Sequence, residues 1–201
     1  MVIGYEMHVK TEAAGGSFDA KVYMEDRFLK QQRDVLFWQT DVQNVVLQTT
    51  GGFKAAEASL KESLDFDGMF ERDIRNRTLA ISIEDFRMKS SPEEGTTDVI
   101  LPDRPVKPGD SWPGRFTIGG KTVKIAYVYL GEQRVESNPT YVIEARFNDP
   151  SIVQIKPYRF WVAQDDGRTV LSSGAAKVTT NGMVLNLEYR MRRISKYTAP
   201  G

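Results

Sequence analysis

The stretch Met183-Val-Leu-Asn-Leu-Glu-Tyr-Arg-Met191 alternates between apolar and polar residues from Leu185 onwards. In an extended chain, successive side chains point to opposite faces, so a period of two is typical of a half-buried β-strand. One face of this strand would carry Met183, Leu185, Leu187, Tyr189 and Met191. A slip of one residue would turn all five to water, so the pattern specifies the strand's register.

The same alternation recurs along the chain. Residues 5–11 and 18–25 alternate on either side of a Gly-rich turn, which predicts a hairpin. Residues 123–129 and 141–147 repeat the pattern, and Asn181-Gly182 suits a type I′ turn before the last strand. The sequence therefore predicts a mainly β protein, an antiparallel meander forming a curved sheet or half-barrel with at most one or two short helices. Strands with one apolar face need a cover, which could be a second sheet, a helix or a ligand.

Three segments are less regular. Residues 53–66 fit one helix and one long strand equally well, although Ala, Glu, Lys and Leu favour a helix intrinsically. Residues 28–36 could form a short helix, but a strand is preferred. Leu79, Ile81 and Ile83 predict one further strand that continues to about Met88.

The run Leu101-Pro-Asp-Arg-Pro-Val-Lys-Pro-Gly-Asp-Ser-Trp112 divides the chain. Its three prolines fix φ and remove backbone donors, which excludes a helix or a central strand. Pro108-Gly109 suits the centre of a type II turn, and Asp110 can then accept a backbone N–H. We predict a stiff connector, residues 101–112, with Pro105, Gly109, Asp110 and Trp112 as its structural residues. It would join two sheet-forming halves, about 1–98 and 113–197, of a single β domain spanning 1–201.

Charge is divided unevenly between the halves. The net charge is zero, which gives no support to nucleic-acid binding, but residues 1–100 hold 12 Lys/Arg against 18 Asp/Glu, and residues 101–201 hold 15 against 9. The favoured interpretation is that the halves lie side by side and neutralise each other. The alternative is self-association into a homo-oligomer. No apolar run is long enough for a membrane-spanning helix, so we expect a protein that does not span the membrane.

The residues give little support to catalysis. The chain has no cysteine and one histidine, His8, on the polar face of its strand. Asp65, Asp67, Glu71 and Asp73 do not have the spacing of an EF-hand, because Gly68 falls at the fourth place instead of the sixth. No nucleotide-binding, nucleophile-elbow or zinc-protease motif occurs. We therefore predict no catalytic residue, no metal site and no cofactor, and a protein that is not an enzyme.

The sequence of the connector resembles a motif of a known protein family. It matches the pattern Leu/Phe-Pro-x-Lys/Arg-Pro-Val-Lys-x-Gly-Asp-x-Trp at Leu101, Pro102, Arg104, Pro105, Val106, Lys107, Gly109, Asp110 and Trp112. In this motif the chain resembles a family of bacterial envelope proteins, many of them lipoproteins. The resemblance implies a fold similar to the half-barrel of lipoprotein carriers, whose concave face holds acyl chains. It also implies residence in the bacterial cell envelope, in the periplasm or lipid-anchored, although the sequence has no signal peptide or lipid-attachment cysteine and would be cytoplasmic if Met1 is native.

Two hypotheses of function follow. The first is a non-catalytic binding protein that holds a lipid or another hydrophobic ligand or segment on a curved β-sheet. Its candidate ligand-binding residues are Met183, Leu185, Leu187, Tyr189, Met191 and Trp161. For Trp161 a position in the core is the favoured interpretation, as buried tryptophans are ordinary in β proteins. The second hypothesis is a structural or assembly protein that self-associates through its acidic and basic halves.

Overall fold

The computed structural model describes residues 1–65, 67–73, 78–83, 86–89, 99–118, 121–180 and 182–194. Within these residues the strands are β1 Val2–Ala13, β2 Gly16–Gln32, β3 Val35–Gly51, β4 Asp67–Asp73, β5 Thr78–Ile83, β6 Phe86–Lys89, β7 Ser111–Ile118, β8 Lys121–Val135, β9 Asn138–Phe147, β10 Ile152–Ala163, β11 Thr169–Thr180 and β12 Met183–Ile194. A 3₁₀ helix, Gly52–Ala56, leads into α1, Glu57–Leu64. Asn181 and the predicted limits at residues 98 and 197 lie outside the described residues.

All described strands belong to one antiparallel sheet. Its order is β6-β5-β4-β3-β2-β1-β12-β11-β10-β9-β8-β7, so each half of the chain is a meander and the first strand pairs with the last. At this seam Glu6 lies opposite Arg192, and Val9 lies opposite Tyr189. The sheet is open, with β6 and β7 at its edges. The predicted fold class, a mainly β antiparallel meander with short helical segments, is confirmed.

Contacts of Arg168 show that the sheet is curved. Arg168 lies just before β11, and its guanidinium contacts Asp26 on β2 and the ring of Trp38 on β3. In the strand order β11 and β3 are four steps apart, which in a flat sheet would be about 19 Å. One arginine side chain cannot span that distance. The sheet therefore bends towards the face on which these three residues lie.

The core lies on this concave face, which carries Val22, Trp38, Tyr127 and Phe160 and is here called the inner face. The second-half cluster gathers buried residues of β7 to β11, and Val99 and Ile100 just before the connector, around Tyr127 and Phe160. The first-half cluster is smaller and consists of Ile3, Tyr5, Trp38, Phe70 and Met191. Because the inner-face residues of each strand alternate with outward-facing ones, the sequence pattern and the core coincide.

The ambiguous segments have definite structures. The 3₁₀ helix and α1 show that the residues after Gly51 are helical, in agreement with the intrinsic preference of Ala, Glu, Lys and Leu. Residues 28–36 are strand, interrupted by a turn at which Arg33 has φ 56°. The prediction of one strand from Leu79 to Met88 was wrong. β5 and β6 form a hairpin there, in which Ile83 pairs with Phe86.

The connector contains the predicted turn. Gly109 has φ 94°, and the Asp110 N–H donates to the Lys107 carbonyl at 3.0 Å, as a type II turn requires. The Asp110 carboxylate in turn accepts the Lys107 N–H at 3.1 Å. Trp112 donates from Nε1 to the Ile100 carbonyl at 2.7 Å, and its ring packs against Tyr127 with centroids 5.7 Å apart. Pro105 is exposed. The connector is thus fixed to the second-half cluster by its own turn and by Trp112.

Candidate functional site

The inner face of β12 becomes progressively more exposed towards the start of the strand. Met191 is only 3% exposed and belongs to the first-half cluster. Tyr189, Leu187 and Leu185 are half-buried, and Met183 is 55% exposed. The five predicted residues therefore share one face, and an apolar surface opens along it.

Neighbouring strands extend this surface across the seam. Tyr189 lies opposite Val9 of β1, and the same row continues through Ala20 of β2 to Leu47 of β3. The adjacent row runs from Leu187 through Thr11 and Phe18 to Thr49. We call the half-buried apolar residues of these two rows, together with Leu185 two positions from Leu187 on β12, the central strip, namely Val9, Phe18, Leu47, Leu185, Leu187 and Tyr189. Only Leu187 and Tyr189 of them pack against either buried cluster.

The helical segment marks one end of the central strip. Phe53 of the 3₁₀ helix makes an edge-to-face contact with Phe18, with ring centroids 5.6 Å apart. One turn later, Glu57 accepts a hydrogen bond from the hydroxyl of Thr49. No residue of α1 is buried, so this helix lies at the margin of the inner face and does not fill it.

Trp161 does not join the other predicted site residues. It lies opposite Leu171 of β11, which lies opposite Arg192 of β12, so Trp161 is on the outer face of the sheet. Its Nε1 donates to the side-chain oxygen of Gln133 at 2.9 Å. The signal was in the sequence, because Phe160 and Val162 occupy the inner face on either side and alternation places Trp161 outside.

A buried polar group that the sequence did not reveal closes the other end of the inner face. Asp26 accepts a hydrogen bond from the Thr40 hydroxyl at 2.6 Å and pairs with Arg168. The side chains of Arg168 and Asp26 are 3% and 6% exposed. The Arg168 guanidinium carbon also lies 4.4 Å from the centre of the Trp38 ring, a cation–π contact.

A second arginine extends this polar group towards the surface. Arg193, opposite Tyr5 in the seam, pairs with Asp166 at 3.0 Å. Asp166 also accepts the backbone N–H of Arg168 at 2.9 Å. Burial by itself lowers the pKa of Arg193, but its interactions with Asp166 and Tyr5 together outweigh burial, so the pKa lies above its usual value. We call Trp38, Asp26, Thr40, Asp166, Arg168, Thr169 and Arg193 the polar end cluster.

The outer face is charged. Arg192 pairs with Glu6 across the seam at 3.0 Å, and His8 pairs with Asp19 at 2.7 Å. Burial raises the pKa of Glu144, but Arg146 and Arg159 outweigh it and hold that pKa below its usual value. In the described part of the chain, no three His, Cys, Asp or Glu side chains are placed to hold a metal ion. None of its helices is long and apolar enough to span a membrane.

Comparisons with known proteins identify the fold. No protein-family model and no curated protein matches the chain. A structure that describes lipid–protein interactions in lipovitellin matches 100% of this chain with a TM-score of 0.55 and 9% identity. This chain spans only 26% of that lipovitellin chain. The similarity is therefore one of fold, an open, curved, antiparallel sheet.

Two bacterial structures match more weakly. A DUF1329 family protein from Desulfovibrio piger has a TM-score of 0.25 and 9% identity, over 98% of this chain and 87% of its own. A domain assigned to outer membrane lipoprotein sorting in Vibrio parahaemolyticus has a TM-score of 0.23 and 8% identity, with the same coverage. The relationship to envelope proteins suggested by the connector motif stays a prediction.

Proposed function

We propose that the protein is a non-catalytic binding protein that holds a lipid or another hydrophobic ligand on the inner face of its curved sheet. The observation that carries this proposal is the central strip, where apolar residues on four neighbouring strands are half-buried. The outer face of the same strands is charged, as the Glu6–Arg192 and His8–Asp19 pairs illustrate. Apolar side chains collected on one concave face and left partly open are the usual lining of a site for a hydrophobic ligand.

The physical driving force is the removal of this surface from water. Burial stabilises by about 25 cal/mol per Å² of apolar area, and by about 0.8 kcal/mol for each methylene of the ligand. Met183, which is 55% exposed on the same face of β12, adds an adaptable contact, because a methionine side chain can adjust to ligands of different shape. The fold similarity to lipovitellin, a protein described for its lipid–protein interactions, supports the same conclusion.

Displacement of the neutral fluorescent probe N-phenylnaphthylamine tests the proposal. Saturated fatty acids of increasing length should displace it, and each added methylene that becomes fully buried should strengthen binding about fourfold. Leu187→Asp places a charge in the central strip and should weaken binding at least about tenfold. The matched control is Val184→Asp on the outer face of the same strand, where the side chain is 46% exposed. Equal effects of the two substitutions, or affinity that does not depend on chain length, would contradict the proposal.

Residence in the bacterial cell envelope is part of this proposal and rests on the connector motif. Self-association through the acidic and basic halves stays a prediction. The pairs Glu6–Arg192 and Asp26–Arg168 join acidic to basic residues of the two halves within one chain. Such pairs are what is expected if the acidic and basic halves lie side by side and neutralise each other. No specific observation favours self-association as a second function.

A further inference from the structure

The polar end cluster has more hydrogen-bond donors than acceptors. Among the described residues, three of its buried donor atoms have no acceptor, namely Trp38 Nε1, Thr169 Oγ1 and Arg193 Nε. Trp38 and Thr169 are only 3% and 1% exposed. A buried donor without an acceptor is unfavourable, because the group has lost its hydrogen bonds to water.

The carboxylates of the cluster are already occupied. Asp26 accepts from Thr40 with one oxygen and from Arg168 with the other. Asp166 accepts from the Arg168 backbone and from Arg193. Since the acidic oxygens have donors while other donors remain, the cluster is suited to a ligand that supplies acceptor oxygens and not to a cation or a further donor.

The free donors face the same side of the sheet as the central strip. Thr169 lies opposite Val162, a residue of the second-half cluster, and Arg193 lies opposite Tyr5 of the first-half cluster. Trp38 belongs to the first-half cluster and contacts Arg168. On β12 the inner-face residues from Arg193 to Met183 span about 33 Å. A polar end and an apolar strip thus follow one another along a single strand.

We propose that the ligand is a single-chain amphiphile with a carboxylate head, and that the polar end cluster binds this head while the central strip holds the tail. The inference rests on the proposed function and specifies its ligand. The Arg193 side chain, 19% exposed, provides the approach from solvent. The carboxylate accepts hydrogen bonds from Trp38, Thr169 and Arg193, and the tail passes Met191 to reach Tyr189 and Leu187. Charge-assisted bonds to a carboxylate are stronger than neutral ones, so a charged head is favoured over an uncharged one.

The test compares dodecanoate, methyl dodecanoate and acetate as competitors of N-phenylnaphthylamine. Dodecanoate should bind about tenfold more tightly than its methyl ester, and acetate should not displace the probe. Thr169→Val removes one free donor with little change of shape, and it should reduce the ratio of acid to ester affinity several-fold. The control is Thr11→Val, at a buried threonine of the same face that lies within the rows of the central strip, and this ratio should not change.

The outcomes separate the two proposals. If neither dodecanoate nor its ester displaces the probe, the proposed function fails and this inference fails with it. If acid and ester bind equally to the native protein, the head-group inference is overturned while hydrophobic binding stands. Trp38→Phe, which removes the second free donor, provides an independent variant should Thr169→Val fold poorly. An unchanged ratio in the folded variant would also overturn the inference.

Discussion

Neutralising Asp26 should destabilise the protein far more than neutralising a carboxylate on the outer face. The Asp26→Asn side chain keeps the size of the native one but removes the carboxylate charge that faces Arg168, in a place where both side chains are almost inaccessible to water. Breaking a buried ion pair by removing one partner costs about 3–5 kcal/mol. We therefore expect the free energy of unfolding to fall by about that amount.

Two comparisons sharpen this expectation. Glu6→Gln removes the same kind of charge from the exposed pair with Arg192, in which the two side chains are 25% and 50% exposed, and should cost no more than about 1 kcal/mol. The double variant Asp26→Leu/Arg168→Met removes both charges together. It should be more stable than Asp26→Leu or Arg168→Met alone, because it leaves no buried charge behind whereas each of these single variants leaves one.

Urea unfolding followed by tryptophan fluorescence measures the stability of each of these variants. Trp38 lies against Arg168, so its emission reports on this part of the inner face directly. A loss below about 1 kcal/mol for Asp26→Asn would refute the reasoning, because it would mean that Arg168 finds water or another partner without cost. A double variant less stable than both single variants would refute it as well.

Two further predictions concern the second half of the sheet. Gly174→Ala should cost about 1–3 kcal/mol in urea unfolding, because a Cβ atom there would lie 2.4 Å from the ring of Tyr158. Glu144→Gln should lower the free energy of unfolding at neutral pH. In this variant the free energy of unfolding should also fall less steeply as the pH is lowered. The folded-state pKa of Glu144 lies below the usual 4.5, so its carboxylate stabilises the protein above that pH and the contribution is lost as the pH falls through the folded-state pKa.

Matched controls exist for both variants. Gly15→Ala introduces the same methyl group at a turn where no atom lies within 4 Å, and should leave stability nearly unchanged. A similar loss at both glycines would contradict the role of the Tyr158 ring. For Glu144, thermal unfolding of the native protein and of Glu144→Gln is compared between pH 3 and pH 7, roughly the range over which a carboxylate titrates. Melting temperatures that differ by the same amount at every pH would contradict the prediction.

Local chemistry made much of the fold predictable. The alternation from Leu185 to Met191 specified a strand and its faces, because successive side chains of a strand point to opposite faces of the sheet. The turn from Lys107 to Asp110 was predictable for a similar reason, since it needs only a positive φ at Gly109 and a short-range hydrogen bond. Both features depend on residues that are neighbours in the chain.

The features that could not be predicted depend on distant residues. Asp26 and Arg168 are 142 positions apart, and nothing in either local sequence indicates the other. The polar end cluster was therefore missed. Trp161 was grouped with the ligand-binding residues because it is large and aromatic, although the alternation of its own strand places it on the outer face.

The order of the strands also sets a limit on how far the sheet can open. β6 and β7 are consecutive in the chain yet lie at opposite margins, so the polypeptide must cross from one margin to the other. Ile100 is tied to Trp112, which packs on Tyr127 of β8, and only ten residue steps separate Lys89 from Val99. Ten steps reach at most about 36 Å, whereas β6 and β8 in a flattened sheet would be about 48 Å apart. As long as Trp112 keeps its contacts with Ile100 and Tyr127, the length of the intervening chain thus limits how far the sheet can flatten, and with it the size of any ligand that the proposed site could hold.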